Sequence, residues 1–446
     1  MIESSAKPAK IFLIEPLRYR TAMTVCLMGG IFFLPLSLTA AVVLLALAGI
    51  LLVAKMAWTG EVYVRRTSMD VWITGFVVLA AFSVSQSAHA TEGWYNYWHL
   101  MGLYMLAYGL VTQLATAQSE RKMIILAVLA SAVVVCVWGL LQYNAGIDVT
   151  AERWIDFEQF PGLKTRVFST LGNPNVLAAF LVMVVGLAAG WALDAHHRKF
   201  TMLLILLTVL AVVCILLTYS RGAWLSLGIM ALMMAAVWRH WNWRGLLLVT
   251  VAVSILGIVV HESFMARFLS IRGMFNPADS SVALRWALWE STLAMISEHP
   301  WIGLGWGSYR FVYPEYDFFV QNEAVIIYHG HNTLLSLAAE IGIPGMLCFA
   351  IAWGIGVVKA LVAMNKATRM QKGFFLGLVL ALLGMAAFSL TDHVLFNIQV
   401  TAVFWVLLAL AASLPTQEKS IEKRTWFCKK FGGLAGVFTL RENNSK

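Results

Sequence analysis

Charge is scarce in this sequence. Only 12% of its 446 residues are Asp, Glu, Lys or Arg, about half the usual share of a soluble domain. Twenty-three acids and 32 bases cannot cover a water-soluble globule of this length. Proline is also sparse, at ten residues, and there is no internal repeat and no low-complexity segment, which excludes collagen and disorder. Cysteine is limited to Cys26, Cys136, Cys214, Cys348 and Cys428. None has CxxC spacing, so neither a disulfide framework nor a zinc site is expected. What remains is apolar: 60% of the residues are hydrophobic and the mean hydropathy is +0.77. At roughly 20 apolar residues per crossing, an all-α polytopic membrane protein of about twelve transmembrane helices is predicted.

The run 21–58 is too long for a signal peptide and for a single span. Pro35 and Ser37 near its middle predict two helices joined by a tight turn. Further spans are read at 70–88, 97–115, 122–143, 174–194, 200–219, 222–238, 244–260, 343–364, 373–391 and 396–414. This frames a segment 1–20, a helical domain 21–414 with loops at 144–173 and 261–342, and a basic tail 415–446. The net charge of +9 lies mostly between hydrophobic runs, which points to membrane orientation and away from nucleic acid. Eight bases fall on one side: Arg153, Lys164, Arg166, Arg221, Arg267, Arg272, Arg285 and Arg310. The other 24 of the 32 fall on the side of the termini, so both termini are expected inside and both large loops outside. The longer loop contains a helix-like stretch at 281–296, and a loop of this length usually has a function.

Most of the distinctive chemistry falls on that outer face. His329-Gly330-His331-Asn332 precedes Gly342-Ile343-Pro344-Gly345. A kink at the Gly-Pro-Gly segment leaves 332–341 as a short outer helix and starts a span near 343. A histidine at that helix start faces the positive end of the dipole, which disfavours imidazolium and suits a general base. A capping role, or metal binding by His329 and His331, fits the same spacing, although no Cys or carboxylate pair lies nearby in the sequence. Arg221, in a very short turn between two spans, suits bidentate phosphate binding, or snorkelling to headgroups. Arg285 adds a second guanidinium, flanked by Trp286 and by Trp289, whose rings suit a membrane interface or a sugar. Gly303-Leu304-Gly305-Trp306-Gly307 lacks the lysine of a phosphate loop and reads as a tight turn. Asp392-His393, in the turn before the last span, either faces the same pocket or is solvated.

These pieces come in a distinctive order. Leu171-Gly172-Asn173-Pro174-Asn175 is followed by Tyr219-Ser220-Arg221-Gly222, Arg285-x-x-x-Trp289, His299-Pro300-x-x-Gly303-x-Gly305 and Tyr309. His331-Asn332 comes last, separated by nine residues from Gly342-x-x-Gly345. Over about 165–395 the sequence closely resembles the O-antigen ligase family, within the superfamily that includes O-antigen polymerases. The resemblance implies a bundle of about twelve helices with a large periplasmic loop in the bacterial cytoplasmic membrane. It implies transfer of a glycan from undecaprenyl diphosphate to a sugar hydroxyl, that of the lipid A core for the ligases, with no metal and no other cofactor. His331 then corresponds to the catalytic histidine, and Arg221 and Arg285 to the residues that hold the diphosphate. His329, Tyr309 and Asp392 are candidates for orienting sugars. Expected partners are the lipid-linked donor, a glycan acceptor and membrane lipids, with no nucleic acid. A polymerase or a protein oligosaccharyltransferase would use the same donor. A bicarbonate or small-anion transporter would instead need ionisable residues near the middle of its spans, where the sequence has almost none.

Overall fold

The computed structural model describes residues 16–60, 64–146, 166–195, 197–238, 280–318, 327–368 and 371–415. The predicted span 244–260, most of the loop 144–173, part of the loop 261–342 and the tail from 416 lie outside the described residues. Within them the chain is helical, with no strand. The long run resolves into α1 (Pro16–Phe33) and α2 (Leu38–Thr59). Ser37 caps α2 by accepting the amide of Ala40, as Pro35 and Ser37 suggested. Then follow α3 (Asp70–Ser85), α4 (Ala90–Asn96), α5 (Gly102–Leu114), α6 (Gln118–Ala145), α7 (Pro174–Ala192), α8 (Arg198–Leu217) and α9 (Arg221–Trp238). The stretch 97–115 expected as a single span opens with a π-helical turn, Tyr97–Met101, which joins α4 to α5, and continues as α5. The stretch expected at 281–296 is α10 (Ser280–Glu298), and the last three helices are α11 (Thr333–Lys366), α12 (Lys372–Ser389) and α13 (Ile398–Ala412).

Six of the described helices are long and apolar enough to cross a membrane, and four shorter apolar ones accompany them. The protein is therefore a multi-pass membrane protein. Helix α7 is its axis, buried on all sides. It packs closest on α12 through small residues. A Cβ on Gly186 would meet the backbone of Ala381, and one on Gly190 the backbone of Gly377. The absent side chains let the two backbones touch, as in membrane helix pairs.

Helix α11 breaks where the Gly-Pro-Gly segment predicted. Gly342 has φ 72° and ψ 166°, so Thr333–Ile341 is a short helix of its own. The turn 299–309 docks against its end: Leu304 and Gly305 donate to the carbonyls of Ala339 and Glu340, and Ile343 donates to Pro300. Gly303, Gly305 and Gly307 all have positive φ. A Cβ on Gly303 would strike Glu340 and one on Gly305 would strike Ser87. This glycine run is a packing turn, as its sequence suggested. Leu288, Met295, Tyr309, Val312, Tyr313, Tyr316, Ile327 and Ala339 form a second, smaller core under it. That core holds α10 and the histidine segment against one end of the bundle.

Candidate active site

Asparagine caps start the helices that meet at this end. Asn173, Asn332 and Asn397 each accept two backbone amides of the following turn, the ordinary local chemistry of an N-cap. His331 immediately precedes one cap. The helix whose N-terminus the sequence assigned it to begins at Thr333, two residues after His331. Its backbone has φ 48°. Among the described residues, Ser169 and Tyr219 are the other non-glycine residues with positive φ, and all three sit at this end. A left-handed side-chain-bearing residue costs roughly 1–2 kcal/mol, so such strain persists only where neighbours enforce it.

The ring of His331 is fixed by Asp392: Nδ1 lies 2.8 Å from Oδ1. Asp392 stands in the turn between α12 and α13, 61 residues away in sequence. The carboxylate is almost fully covered, at 4% exposure against 27% for the histidine. Its Oδ1 also accepts the His393 amide at 2.8 Å, and its Oδ2 accepts Nδ2 of Asn175 at 2.7 Å. Burial alone would raise this carboxyl. The facing His331 and its hydrogen bond, with His329 and Arg285 nearby, outweigh burial and hold it well below the usual carboxylate range. Asp392 is thus an ionised acceptor, and His331 is one of the groups that it holds. The carboxylate expected to orient a sugar has both oxygens engaged by protein groups.

His329 is buried, edge-on to His331 and His393 and tilted against Phe396. Its Nδ1 accepts the His331 amide at 3.3 Å. Burial, with His331, His393 and Arg285 adding to it, pushes His329 well below the ordinary imidazole value. Burial likewise takes His393, paired through Nδ1 with Thr333, to about 4. Both flanking rings are neutral at pH 7. Tyr309 is 1% exposed, with its hydroxyl 2.7 Å from Thr292 and close beneath Gly330. It supports the histidine segment from below.

His329, His331 and Asp392 bring possible ligand atoms within 4.8 Å of one another, so a carboxylate does join the histidine pair, contrary to what sequence proximity suggested. Both carboxylate oxygens and His331 Nδ1 are already committed to each other, to His393 and to Asn175. A metal would have to displace these bonds, and the usual four-ligand set is incomplete.

The two predicted arginines converge on the same turn. Nε of Arg285 donates to the Thr391 carbonyl at 3.1 Å. Gly222, next to Arg221, leaves no space for a Cβ because Thr391 and Phe388 fill it. Arg221 itself is 6% exposed. A snorkelling arginine keeps its head in water, so burial argues against a simple headgroup anchor. Trp286 is exposed and packs edge-on to Trp289, 5.3 Å between ring centroids. Sequence reasoning gave no role to Arg166, which is buried here: its Nε donates to the Thr218 carbonyl at 2.8 Å and its Nη2 to Asn175 Oδ1 at 3.3 Å. The only available signal was its place seven residues before Asn-Pro-Asn.

Residues 206–350, which include Arg221, Arg285 and His331, match the family model described as O-antigen ligase. No curated protein matches the chain. Over these residues the chain is similar to the O-antigen ligase family, a class of membrane enzymes that transfer glycosyl groups.

Proposed function

We propose that this protein is a ligase-type glycosyltransferase. It moves a glycan from undecaprenyl diphosphate to a sugar hydroxyl of an acceptor of the lipid A core class, on the periplasmic face of the cytoplasmic membrane. The observation that carries the reading is the His331–Asp392 pair, set in a turn shared with Arg285 and packed against the start of α9. An ionised carboxylate only accepts, so the proton of the neutral imidazole sits on Nδ1 and the lone pair on Nε2. Nε2 then takes the proton of the acceptor hydroxyl. The oxygen attacks the anomeric carbon of the donor, and the bond from that carbon to the diphosphate breaks. The electron pair leaves with the diphosphate, whose charge Arg221 and Arg285 stabilise through charge-assisted hydrogen bonds. Asp392 stabilises the imidazolium formed on the way. A single displacement inverts the anomeric centre. No step requires a metal.

A transporter reading gains nothing from this arrangement, because the ionisable cluster lies at helix ends and turns and not midway along the helices. The decisive experiment is transfer by purified protein from undecaprenyl-diphosphate-linked glycan to lipid A core, in chelator. The parent should transfer. His331→Ala should lose roughly a thousand-fold or more, as removing the base does in hydrolytic triads, while eluting as a folded monodisperse species. Parental turnover by His331→Ala, or loss of parental activity in chelator, overturns the mechanism.

A further inference from the structure

We propose that Asn175 is a positioning residue: it joins the guanidinium of Arg166 to the carboxylate of Asp392 and so fixes the direction in which His331 carries its proton. The inference rests on the reading of His331 as the base. The contacts form one line. Arg166 Nη2 donates to Asn175 Oδ1 (3.3 Å), Asn175 Nδ2 donates to Asp392 Oδ2 (2.7 Å), and Asp392 Oδ1 faces His331 Nδ1 (2.8 Å).

The chemistry of the two ends leaves one orientation for the middle. An arginine side chain has donors only, and an ionised carboxylate has acceptors only. The residue between them must accept on one side and donate on the other. An amide does both, and it can do so here only with its oxygen toward Arg166 and its nitrogen toward Asp392. Turning it over would set oxygen against carboxylate and nitrogen against guanidinium. Arg166 therefore selects the amide orientation. The amide holds the second carboxylate oxygen, and the first is left aimed at the imidazole.

The surroundings keep the line rigid. Arg166 is fixed on its other edge by the Thr218 carbonyl. The next residue, Val167, donates to Leu217, and Gln142 accepts the amides of both Phe168 and Ser169. Asn175 sits in the first turn of α7, with its own amide held by the Asn173 cap. Arg166 also braces the carbonyl three residues before Arg221, so a change there would disturb the diphosphate clamp as well as the base. Asn175 is the cleaner probe.

The test is Asn175→Asp, nearly isosteric, measured beside the parent and His331→Ala across pH. An ionised carboxylate at 175 faces Asp392 acceptor to acceptor, whereas a protonated one can again donate. The expected result is a kcat roughly ten-fold or more below the parent at neutral pH, an unchanged donor KM, and a variant-to-parent kcat ratio that rises toward acid pH. A ratio near one, or a low ratio flat with pH, overturns the proposal. If Asn175→Asp does not yield folded protein, Asn175→Ala decides: a lower kcat at unchanged donor KM supports the proposal, and an unchanged kcat or an equal effect on KM overturns it. An active His331→Ala defeats the underlying mechanism and this inference together. An inactive His331→Ala beside a parental Asn175→Asp defeats this inference alone.

Discussion

Glu340 is the residue whose protonation couples the site's support to pH. Its carboxylate accepts the amides of Tyr309, at 3.3 Å, and Gly307. Burial nevertheless pushes it from 4.5 up to about 7. The folded state thus holds a proton that the unfolded state releases. By linkage, stability falls as pH rises from about 4.5 to about 7 and then levels off. Glu340→Gln keeps an acceptor oxygen without the charge. Its melting temperature should lie a few degrees above the parent's at pH 8, and the difference should vanish below pH 4.5. Parallel melting curves across that range would show that Glu340 does not titrate in this window. The residue scale is also where sequence reading reached least evenly. Local motifs singled out His331, Arg221 and Arg285, and the structure sets His331 and Arg285 beside the turn that carries Asp392. The partnership of His331 with Asp392 was not legible, because no periodicity reports a contact between turns 61 residues apart. The burial of Tyr309 and His329 was hidden for a related reason: sequence shows that a residue is polar, and only packing shows that it is covered.

At the scale of elements, the close seam of α7 and α12 sets the distance between Asn175, on the first turn of one helix, and Asp392, just past the end of the other. Gly190→Val adds a side chain where the Gly377 backbone already stands. Overpacking of this kind costs roughly 1–3 kcal/mol, and here it must also part the helices. Lower thermal stability in detergent and lower transfer should appear together. An unchanged melting temperature would contradict the seam. Punctuation residues made many element boundaries readable: Ser37 after Pro35, Asn173 before Pro174, and Gly342 with Pro344 all act where they were expected. The π-helical turn at Tyr97–Met101 left no such mark. An apolar helix and an apolar π turn have the same composition, and packing chooses between them.

For the whole molecule, sidedness is the property that most needs a test. The end of the bundle opposite His331 gathers cations around the close of α13: Arg65 and Arg121 donate to the Ser413 carbonyl and Lys359 to that of Ala412. These bases satisfy the carbonyls that a helix C-terminus leaves open, and they place positive charge away from the site. A single cysteine introduced at Ser280 in a cysteine-free background should react with an impermeant maleimide added from the periplasmic side. One at Ser420 should react only after the membrane is opened. The reverse pattern would place His331 in the cytoplasm and remove its lipid-linked donor.

The line from Arg166 to His331 also has an order in time. A ribosome makes Arg166 and Asn175 first, then Arg221, Arg285 and His331, and only after two more long helices the Asp392 that connects the amide to the imidazole. Domains fold as the chain emerges, yet this site cannot be half built. Until α12 has entered the bundle, His331 lacks its aspartate and Asn175 lacks its acceptor. On the proposed mechanism, a nascent chain therefore carries every arginine of the site and its histidine while still inactive, and it gains activity only when the turn after α12 closes over them.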